Sequence, residues 1–267
     1  MIAVDYSAVS QLSSCPARWA YEHKLGLKAP IGSAVYLGSA FHAACAGYYN
    51  KKIAGEQLTL AQYQDIFINI WTSGEAARDR SGNIRNITWQ DPEPIVFAQG
   101  LSLCESYYPY AKQVEPMFVE QRLERQLSDD ITVYGTVDLI DAKGNLIDIK
   151  TSSRALSQSD LEASLQPTFY AYLVGGPTSS FIYHDVVKTK VATFQSYQVQ
   201  RTQLDINWLR DAIPMFVELM QRGPWCPNRT SLCKWCGYQS ICLQGQELRA
   251  LEEYRCLVNT GNSLTLP

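Results

Sequence analysis

In the stretch "VYGTVDLIDAKGNLIDIKT", residues 133–151, Asp138 lies on one side of the central "AKG" and Asp148 and Lys150 lie on the other. The runs rich in Val, Ile and Leu on both sides of "AKG" predict two antiparallel strands joined by a three-residue loop. Gly144 would occupy the left-handed position that such loops favour. In a hairpin centred on Lys143, facing residue numbers sum to twice that centre, so we expect Asp138 to face Asp148. Because side chains alternate along a strand, Lys150 shares the face of Asp148.

Carboxylates directly opposite each other on a sheet repel, which weakens the pairing of their strands. A divalent cation between Asp138 and Asp148 would remove this repulsion, and two hard oxygen ligands suit Mg²⁺ or Mn²⁺. Lys150 would add a positive charge beside the ion. The same three residues are also compatible with a solvated sheet face on which Lys150 pairs with one acid.

Together with four further blocks of sequence, the hairpin resembles the PD-(D/E)XK nuclease superfamily. In this resemblance Val137-Asp138 takes the "PD" place, and Asp148, Ile149 and Lys150 form the D-X-K. The blocks are similar to those of RecB-like nucleases that carry an iron–sulfur cluster, which include the CRISPR-associated RecB-like exonucleases and the nuclease domain of AddB. The other four blocks are "LSSCPARWAY" (12–21), "LGSAFHAA" (37–44), "QPTFY" (166–170) and "LCKWCGYQSIC" (232–242).

The resemblance implies a role for each matched residue. Lys150 would orient or activate the attacking water and help to stabilise the transition state. Gln166 and Tyr170 would lie near the site and the DNA backbone. The implied metal ligands are His42, Asp138, Asp148 and the main-chain carbonyl of Ile149.

Two positions depart from the family pattern. Val137 stands where the motif has proline, which leaves the ligand set unchanged. Pro167 directly follows Gln166, and a proline is best tolerated in the first turn of a helix. We therefore expect a helix to begin or kink at Gln166, with Gln166 and Tyr170 on one face through their i, i+4 spacing.

Three cysteines near the C-terminus have the spacing C-x2-C-x5-C, which lets neighbouring thiolates grip one metal centre: Cys233, Cys236 and Cys242. The resemblance supplies Cys15 as the fourth ligand, and four thiolates suit either zinc or a [4Fe–4S] cluster. The spacing does not separate these two, whereas the resemblance favours iron–sulfur. The alternative is a zinc site in which Cys226 replaces a buried Cys15. Three other cysteines are expected to be ordinary buried thiols: Cys45, Cys104 and Cys256.

The elements that must position these residues change in character near Pro116. The N-terminal part predicts helices, of which Ser7 would cap the first and Pro16 would begin the second. After Pro116 the sequence predicts five strands, a helix over Leu161–Val174 and a last long helix over residues 204–222. The predicted strands are residues 117–127, 131–140, 145–151, 180–188 and 191–199.

These elements predict the α/β class, and the resemblance implies a restriction-endonuclease-like core: a central mixed sheet flanked by helices, with a mostly helical N-terminal part and a C-terminal cysteine-rich segment. We expect a single nuclease domain over residues 1–267. Its parts would be the helical part (1–115), the nuclease core (116–225), the cluster-binding segment (226–245) and a tail (246–267).

Composition limits the other possibilities. The net charge of −3 excludes a generally basic nucleic-acid binder, so a DNA contact would need a local basic surface. The sequence predicts no membrane span and no secretory signal, which favours a reducing, cytoplasmic location and metal binding over disulfides.

We expect a Mg²⁺- or Mn²⁺-dependent DNA exonuclease that acts on single strands or DNA ends. One alternative is a DNA-binding or scaffold protein that keeps the fold and the cluster without cutting, and another is a structure-specific endonuclease. DNA is the expected partner. Protein partners in recombination, repair or CRISPR adaptation are left open by the sequence.

Overall fold

The computed structural model describes residues 1–79 and 82–244 and confirms a central mixed sheet flanked by helices. The strands are Ile2–Asp5 (β1), Ile31–Gly32 (β2), Ile87–Thr88 (β3), Pro116–Ser128 (β4), Ile131–Asp141 (β5), Leu146–Ser152 (β6), Thr178–Val187 (β7) and Thr193–Arg201 (β8). The helices are Tyr6–Ser14 (α1), Pro16–His23 (α2), Ser33–Ile53 (α3), Leu60–Ser73 (α4), Glu93–Ala111 (α5), Gln158–Ala163 (α6), Gln166–Val174 (α7), Gln203–Arg222 (α8) and Gln239–Gln244 (α9). Short 3₁₀ helices lie at Glu75–Ala77 and Ser231–Trp235.

The main sheet has the strand order β1-β5-β6-β7-β8, and β4 also pairs with β5. β6 is antiparallel to β5 and parallel to β7, and β7 is antiparallel to β8. Two parallel strands need a crossover connection, which α6 and α7 supply between β6 and β7. β6 therefore lies inside the sheet: its full length pairs with β7, and Leu146 and Ile147 also pair with β5.

The chain divides into two compact units. The first contains Met1–Ala29, Gln126–Val133 and the described residues from Asn207 on, and the second contains Pro30–Arg125 and Tyr134–Ile206. The predicted cluster cysteines belong to the first unit, and the predicted catalytic residues belong to the second. The single domain over residues 1–267, with its internal boundaries, stays a prediction.

The core of the second unit lies between three helices and the sheet. Large side chains of α3, α4 and α5 are buried together with Leu139 of β5 and with Ile147 and Ile149 of β6. Ile147 and Ile149 thus point into the core, while the residues between them point to the opposite face. This division confirms the predicted orientation of the hairpin.

Two local predictions were wrong. Asp5, not Ser7, caps α1, because its carboxylate accepts a hydrogen bond of 2.7 Å from the N–H of Ala8. The single helix predicted over Leu161–Val174 is two helices, α6 and α7. In a continuous helix Pro167 would be an interior residue, where it removes a hydrogen bond and clashes with the preceding turn. α7 instead begins at Gln166, so Pro167 lies in its first turn, as expected.

Strands β1, β2 and β3 lie within the part predicted to be helical and are only two to four residues long. Such short segments carry no readable alternation. The predicted tail and Cys256 lie outside the described residues. Among the described helices, none has the length and apolar character to span a membrane.

Gly100 allows α5 to pack closely against α4, since a Cβ atom at this position would lie 2.0 Å from Cζ of the fully buried Phe67. We expect Gly100→Ala to lower the free energy of unfolding by roughly 1–3 kcal/mol, because overpacking outweighs the gain in helix propensity. Denaturant unfolding would measure the change. Gly176→Ala is the matched control, because nothing lies within 4 Å of the added methyl group. Equal effects of the two substitutions would contradict the packing argument.

Candidate active site

The β5–β6 hairpin brings the two acids together. Its ladder pairs Leu139 with Ile147 and Ile140 with Leu146, which is the register predicted from a centre at Lys143. Gly144 has a φ of +79°, as the three-residue loop requires. The loop is further fixed by Asp141, whose carboxylate accepts hydrogen bonds from the N–H groups of Lys143 and Asn145.

Asp138 is held by a backbone donor and a histidine. Its Oδ2 accepts a 2.8 Å hydrogen bond from the N–H of Ile149 and lies 3.4 Å from Nδ1 of His42. Burial alone would raise the pKa of Asp138, but the hydrogen bond and charge of His42, the Ile149 N–H and Lys150 together hold this pKa below its ordinary value. The environment of Asp138 therefore favours the carboxylate form.

Asp148 is the more deeply buried acid, with 3% of its surface exposed. Oδ1 accepts a 2.6 Å hydrogen bond from Nε2 of Gln166, and Oδ2 lies 2.8 Å from Nζ of Lys150. Burial, and next to it the charge of Asp138, raises the pKa of Asp148 despite the opposing effect of Lys150. A carboxylate in this position is destabilised unless positive charge stays close to it.

Lys150 supplies that positive charge, and His42 lies beside Asp138. Burial would lower the pKa of Lys150, but the charge and hydrogen bond of Asp148 outweigh it and raise this pKa, so the ammonium is present at neutral pH. Burial would also lower the pKa of His42, and the hydrogen bond and charge of Asp138 reverse that effect. The site thus contains two acids, an ammonium and a histidine whose pKa is raised.

Gln166 and Tyr170 lie on α7, as predicted from their spacing. Gln166 is the first residue of the helix and reaches Asp148 directly. The hydroxyl of Tyr170 donates to the main-chain carbonyl of Thr136 in β5, and burial is the main cause of its raised pKa. Gln166 is thus bonded to Asp148 within the site, whereas Tyr170 connects α7 to β5. Contact of either residue with DNA stays a prediction.

A cavity of about 720 Å³ opens beside His42 and Asp138. One wall is α3, whose residues here are mostly small: Gly38, Ser39, Ala43, Ala46, Gly47 and Asn50. Gly38 also allows α3 to approach β6, since a Cβ atom at this position would lie 3.0 Å from Oγ1 of Thr151. Because these side chains are small, His42 and Asp138 remain accessible to a substrate in the cavity.

Glu120 of β4 also lines this cavity, and the sequence did not predict it. It combines a φ of +49° with a pKa raised to about 7, first by burial and next by the charge of Asp138. A non-glycine residue at positive φ is uncommon and often marks a functional position. The only sequence signal was an acid in the strand that precedes the hairpin.

The donor set suits a hard divalent cation. Among the described residues, no three His, Cys, Asp or Glu side chains are arranged to hold a metal ion by themselves. Mg²⁺ needs no such cage, because it is usually bound by one or two carboxylates together with waters and substrate phosphates. The buried Oδ2 of Asp148 lies 2.8 Å from the Lys150 ammonium, and no other donor in the described part of the chain reaches it. A cation could therefore share this oxygen with Lys150.

In the first unit, the N-terminal and C-terminal cysteines share one environment. Cys15, Cys236 and Cys242 pack around a small apolar cluster of Ala17, Tyr21, Ala29 and Tyr238. The segments are joined by hydrogen bonds from Ala17 N–H to the carbonyl of Cys226 (3.3 Å) and from Asn228 Nδ2 to the carbonyl of Ser14 (3.0 Å).

The thiols themselves form no ligand group among the described residues. The Sγ of Cys233 has local contacts, with Thr230 N–H at 3.4 Å and the carbonyl of Asn228 at 3.8 Å. All described cysteines are free thiols, and Cys226 is exposed. Cys45 and Cys104 are buried, as predicted. The structure brings the predicted segments together, and the cluster stays a prediction.

A D-X-K strand paired with a second aspartate, within a mixed sheet flanked by helices, is the arrangement of a restriction-endonuclease-like phosphodiesterase. The sequence profile of the PD-(D/E)XK nuclease superfamily matches residues 4–243. This match spans most of the chain, and the protein belongs to that superfamily.

A solved structure shares the fold. A protein of Eubacterium rectale called "Putative exonuclease" has a TM-score of 0.55 and 12% sequence identity, with 98% of this chain and 89% of that chain covered. The protein SSO0001 has a TM-score of 0.44 and 12% identity, with 91% and 86% covered. Among curated protein sequences, none matches the chain.

The hydrogen bond from Gln166 to Asp148 should matter for stability. Gln166→Ala leaves a buried carboxylate oxygen without its donor, which we expect to lower the free energy of unfolding by roughly 1.5–3 kcal/mol. Thermal or denaturant unfolding of the metal-free protein would measure it. Gln158→Ala is the control, since this exposed glutamine bonds only Glu162 among the described residues. A loss no larger than that of the control would show that the bond is not formed in solution.

Proposed function

We propose that this protein is a metal-dependent DNA exonuclease that hydrolyses phosphodiester bonds in single strands or at DNA ends. The observation that carries the proposal is the pairing of Asp138 and Asp148 with Lys150 beside an open cavity. Membership of a nuclease superfamily supports hydrolysis of a phosphodiester. A scaffold that only binds DNA would have no need to bury two neighbouring carboxylates, because their burial opposes folding unless they are compensated.

Mg²⁺ or Mn²⁺ would be held by His42, Asp138, Asp148 and the main-chain carbonyl of Ile149. Such an ion supplies an activated water and neutralises charge on the phosphate when it is bound. Lys150 keeps its proton and places a positive charge next to Asp148, where it can orient the water or stabilise the transition state. Gln166 fixes the orientation of the Asp148 carboxylate through Oδ1.

Exonuclease action on DNA rests on the RecB-type order of the sequence blocks. The name of the Eubacterium rectale protein agrees with this assignment. A structure-specific endonuclease would use the same residues, so the form of the substrate decides between the two. Linear and circular DNA, single- and double-stranded, would separate them, because an exonuclease needs an end.

We further propose that Cys15, Cys233, Cys236 and Cys242 bind a structural [4Fe–4S] cluster. The shared surroundings of Cys15, Cys236 and Cys242 support this proposal. The cluster would fasten the N-terminal helices to the C-terminal segment and take no part in hydrolysis. A zinc ion in the same four-thiolate site is the competing assignment, and Cys226 is the competing ligand.

The three hairpin residues should act as one cleavage site. We expect Asp138→Ala and Asp148→Ala to abolish Mn²⁺ binding and cleavage, because each removes a charged ligand. Lys150→Ala should keep the metal but slow cleavage on the order of 10²-fold or more, since it removes charge beside the attacked phosphate. Calorimetry with Mn²⁺ and end-labelled DNA would measure the two effects separately.

Two further variants sharpen this experiment. Lys143→Ala removes an exposed lysine from the loop of the same hairpin and should leave cleavage unchanged. His42→Ala should weaken Mn²⁺ binding while the circular dichroism spectrum stays that of the parent. Cleavage by Lys150→Ala at the parental rate would refute the site and favour the scaffold interpretation.

The cysteine proposal predicts a coloured protein. Protein purified without oxygen should be brown and contain iron and acid-labile sulfide, and Cys233→Ala should lose both the colour and much of the stability. Cys226→Ala should keep them, because that exposed cysteine is not a proposed ligand. A colourless protein with one zinc ion per chain would reject the cluster. Loss of metal in Cys226→Ala would show that Cys226, not Cys15, is the fourth ligand.

A further inference from the structure

Arg201, the last residue of β8, is inserted at the junction of α6 and α7. Its Nη2 donates to the main-chain carbonyls of Ser164 (2.7 Å) and Leu161 (2.9 Å), with a longer contact to the carbonyl of Glu162 (3.4 Å). Its Nε donates to Oγ1 of Thr168 at 2.9 Å. One guanidinium thus binds the end of α6 and the first turn of α7.

These acceptors need a partner from outside their own helices. The last carbonyls of a helix have no partner within it, and α6 ends at Ala163. α7 has no side-chain hydrogen bond at its N-cap, Leu165, and Pro167 provides no N–H group in its first turn. The junction is therefore held by Arg201, together with Ser164 Oγ, which lies 2.8 Å from the hydroxyl of Tyr183.

Gln166 lies at the centre of the part that Arg201 fixes. It is two residues from Ser164 on one side and two residues from Thr168 on the other, and both of these are bound by the guanidinium. Gln166 is 7% exposed, and its amide donates to Asp148 at 2.6 Å. A shift of the junction would therefore move the donor that orients the Asp148 carboxylate.

We propose that Arg201 is a positioning residue for the phosphodiesterase reaction, acting through Gln166 on Asp148. This inference rests on the proposed function. Arginine suits the position because its planar group offers several donors in fixed directions, whereas the ammonium of lysine is a compact charge without that planar fork of donors. Lysine would keep the charge and lose the geometry.

The side-chain amide of Gln166 gives a test that does not depend on activity. In ¹⁵N spectra of metal-free protein, with the signal assigned through Gln166→Ala, we expect a resonance distinct from those of exposed glutamines and protected from hydrogen exchange. Arg201→Lys should move it into the exposed range and remove the protection. Thr168→Val, which deletes only the Nε acceptor, should give a smaller change in the same direction and serves if Arg201→Lys does not fold.

Arg125→Ala is the matched control. This arginine donates to the carbonyl of Tyr172 near the other end of α7, at 2.8 Å, and among the described residues it makes no hydrogen bond to the junction. The Gln166 signal should stay at its parental position in this variant. An unchanged signal in folded Arg201→Lys, or an equal change in Arg125→Ala, would overturn the proposal.

Cleavage gives the second measurement. Arg201→Lys should slow cleavage by roughly 10- to 100-fold, as substitutions behind directly bound ligands commonly do. In the Gln166→Ala background the same substitution should not slow cleavage further, because the amide through which Arg201 acts on Asp148 is already absent. If the double variant instead lost cleavage rate by the product of the two single losses, Arg201 would support the fold generally rather than act through Gln166. A parent protein that cleaves no DNA would refute the proposed function, while the amide signal would still decide the role of Arg201.

Discussion

Two neighbouring carboxylates in a largely buried hairpin are the constraint on which the second unit depends. Charges removed from water need donors or opposite charges close by. Here they come from separate elements: His42 from α3, the Ile149 N–H and Lys150 from β6, and Gln166 from α7. The helices are thus tied to the sheet by charge compensation as well as by apolar packing. Removing one partner would leave part of a buried charge uncompensated.

The hairpin could be predicted from sequence because its information is local. Strand alternation places Asp138, Asp148 and Lys150 on one face, and Gly144 fixes the loop that sets the register. Each of these is a property of residues within one stretch of chain. The same locality made the start of α7 predictable, since Pro167 restricts where a helix can begin.

Other parts of the site depend on contacts that sequence spacing does not encode. The partner of Gln166 is a residue of a different element, and the anchor of its junction, Arg201, lies 35 positions further along the chain. The backbone of Glu120 has a positive φ that no local pattern announces. The end of α6 at Ala163 was missed, although Pro167 marked the start of α7, because apolar periodicity continues between the two helices. The cysteine segments were paired through the family resemblance, since spacing alone cannot bring Cys15 to the C-terminal trio.

The inner position of β6 has a consequence for motion. Its full length pairs with β7, and Leu146 and Ile147 also pair with β5, so its hydrogen-bonded amides can exchange with solvent only when the sheet opens. The strand that carries Asp148 and Lys150 should therefore be among the slowest-exchanging segments of the protein. α7 lacks a side-chain N-cap, but eight of its nine residues are buried and Gln166 and Tyr170 bond it to the sheet, so it should open together with β6. Adjustment to the shape of a bound strand would then fall outside the hairpin and α7, while the acids stay fixed.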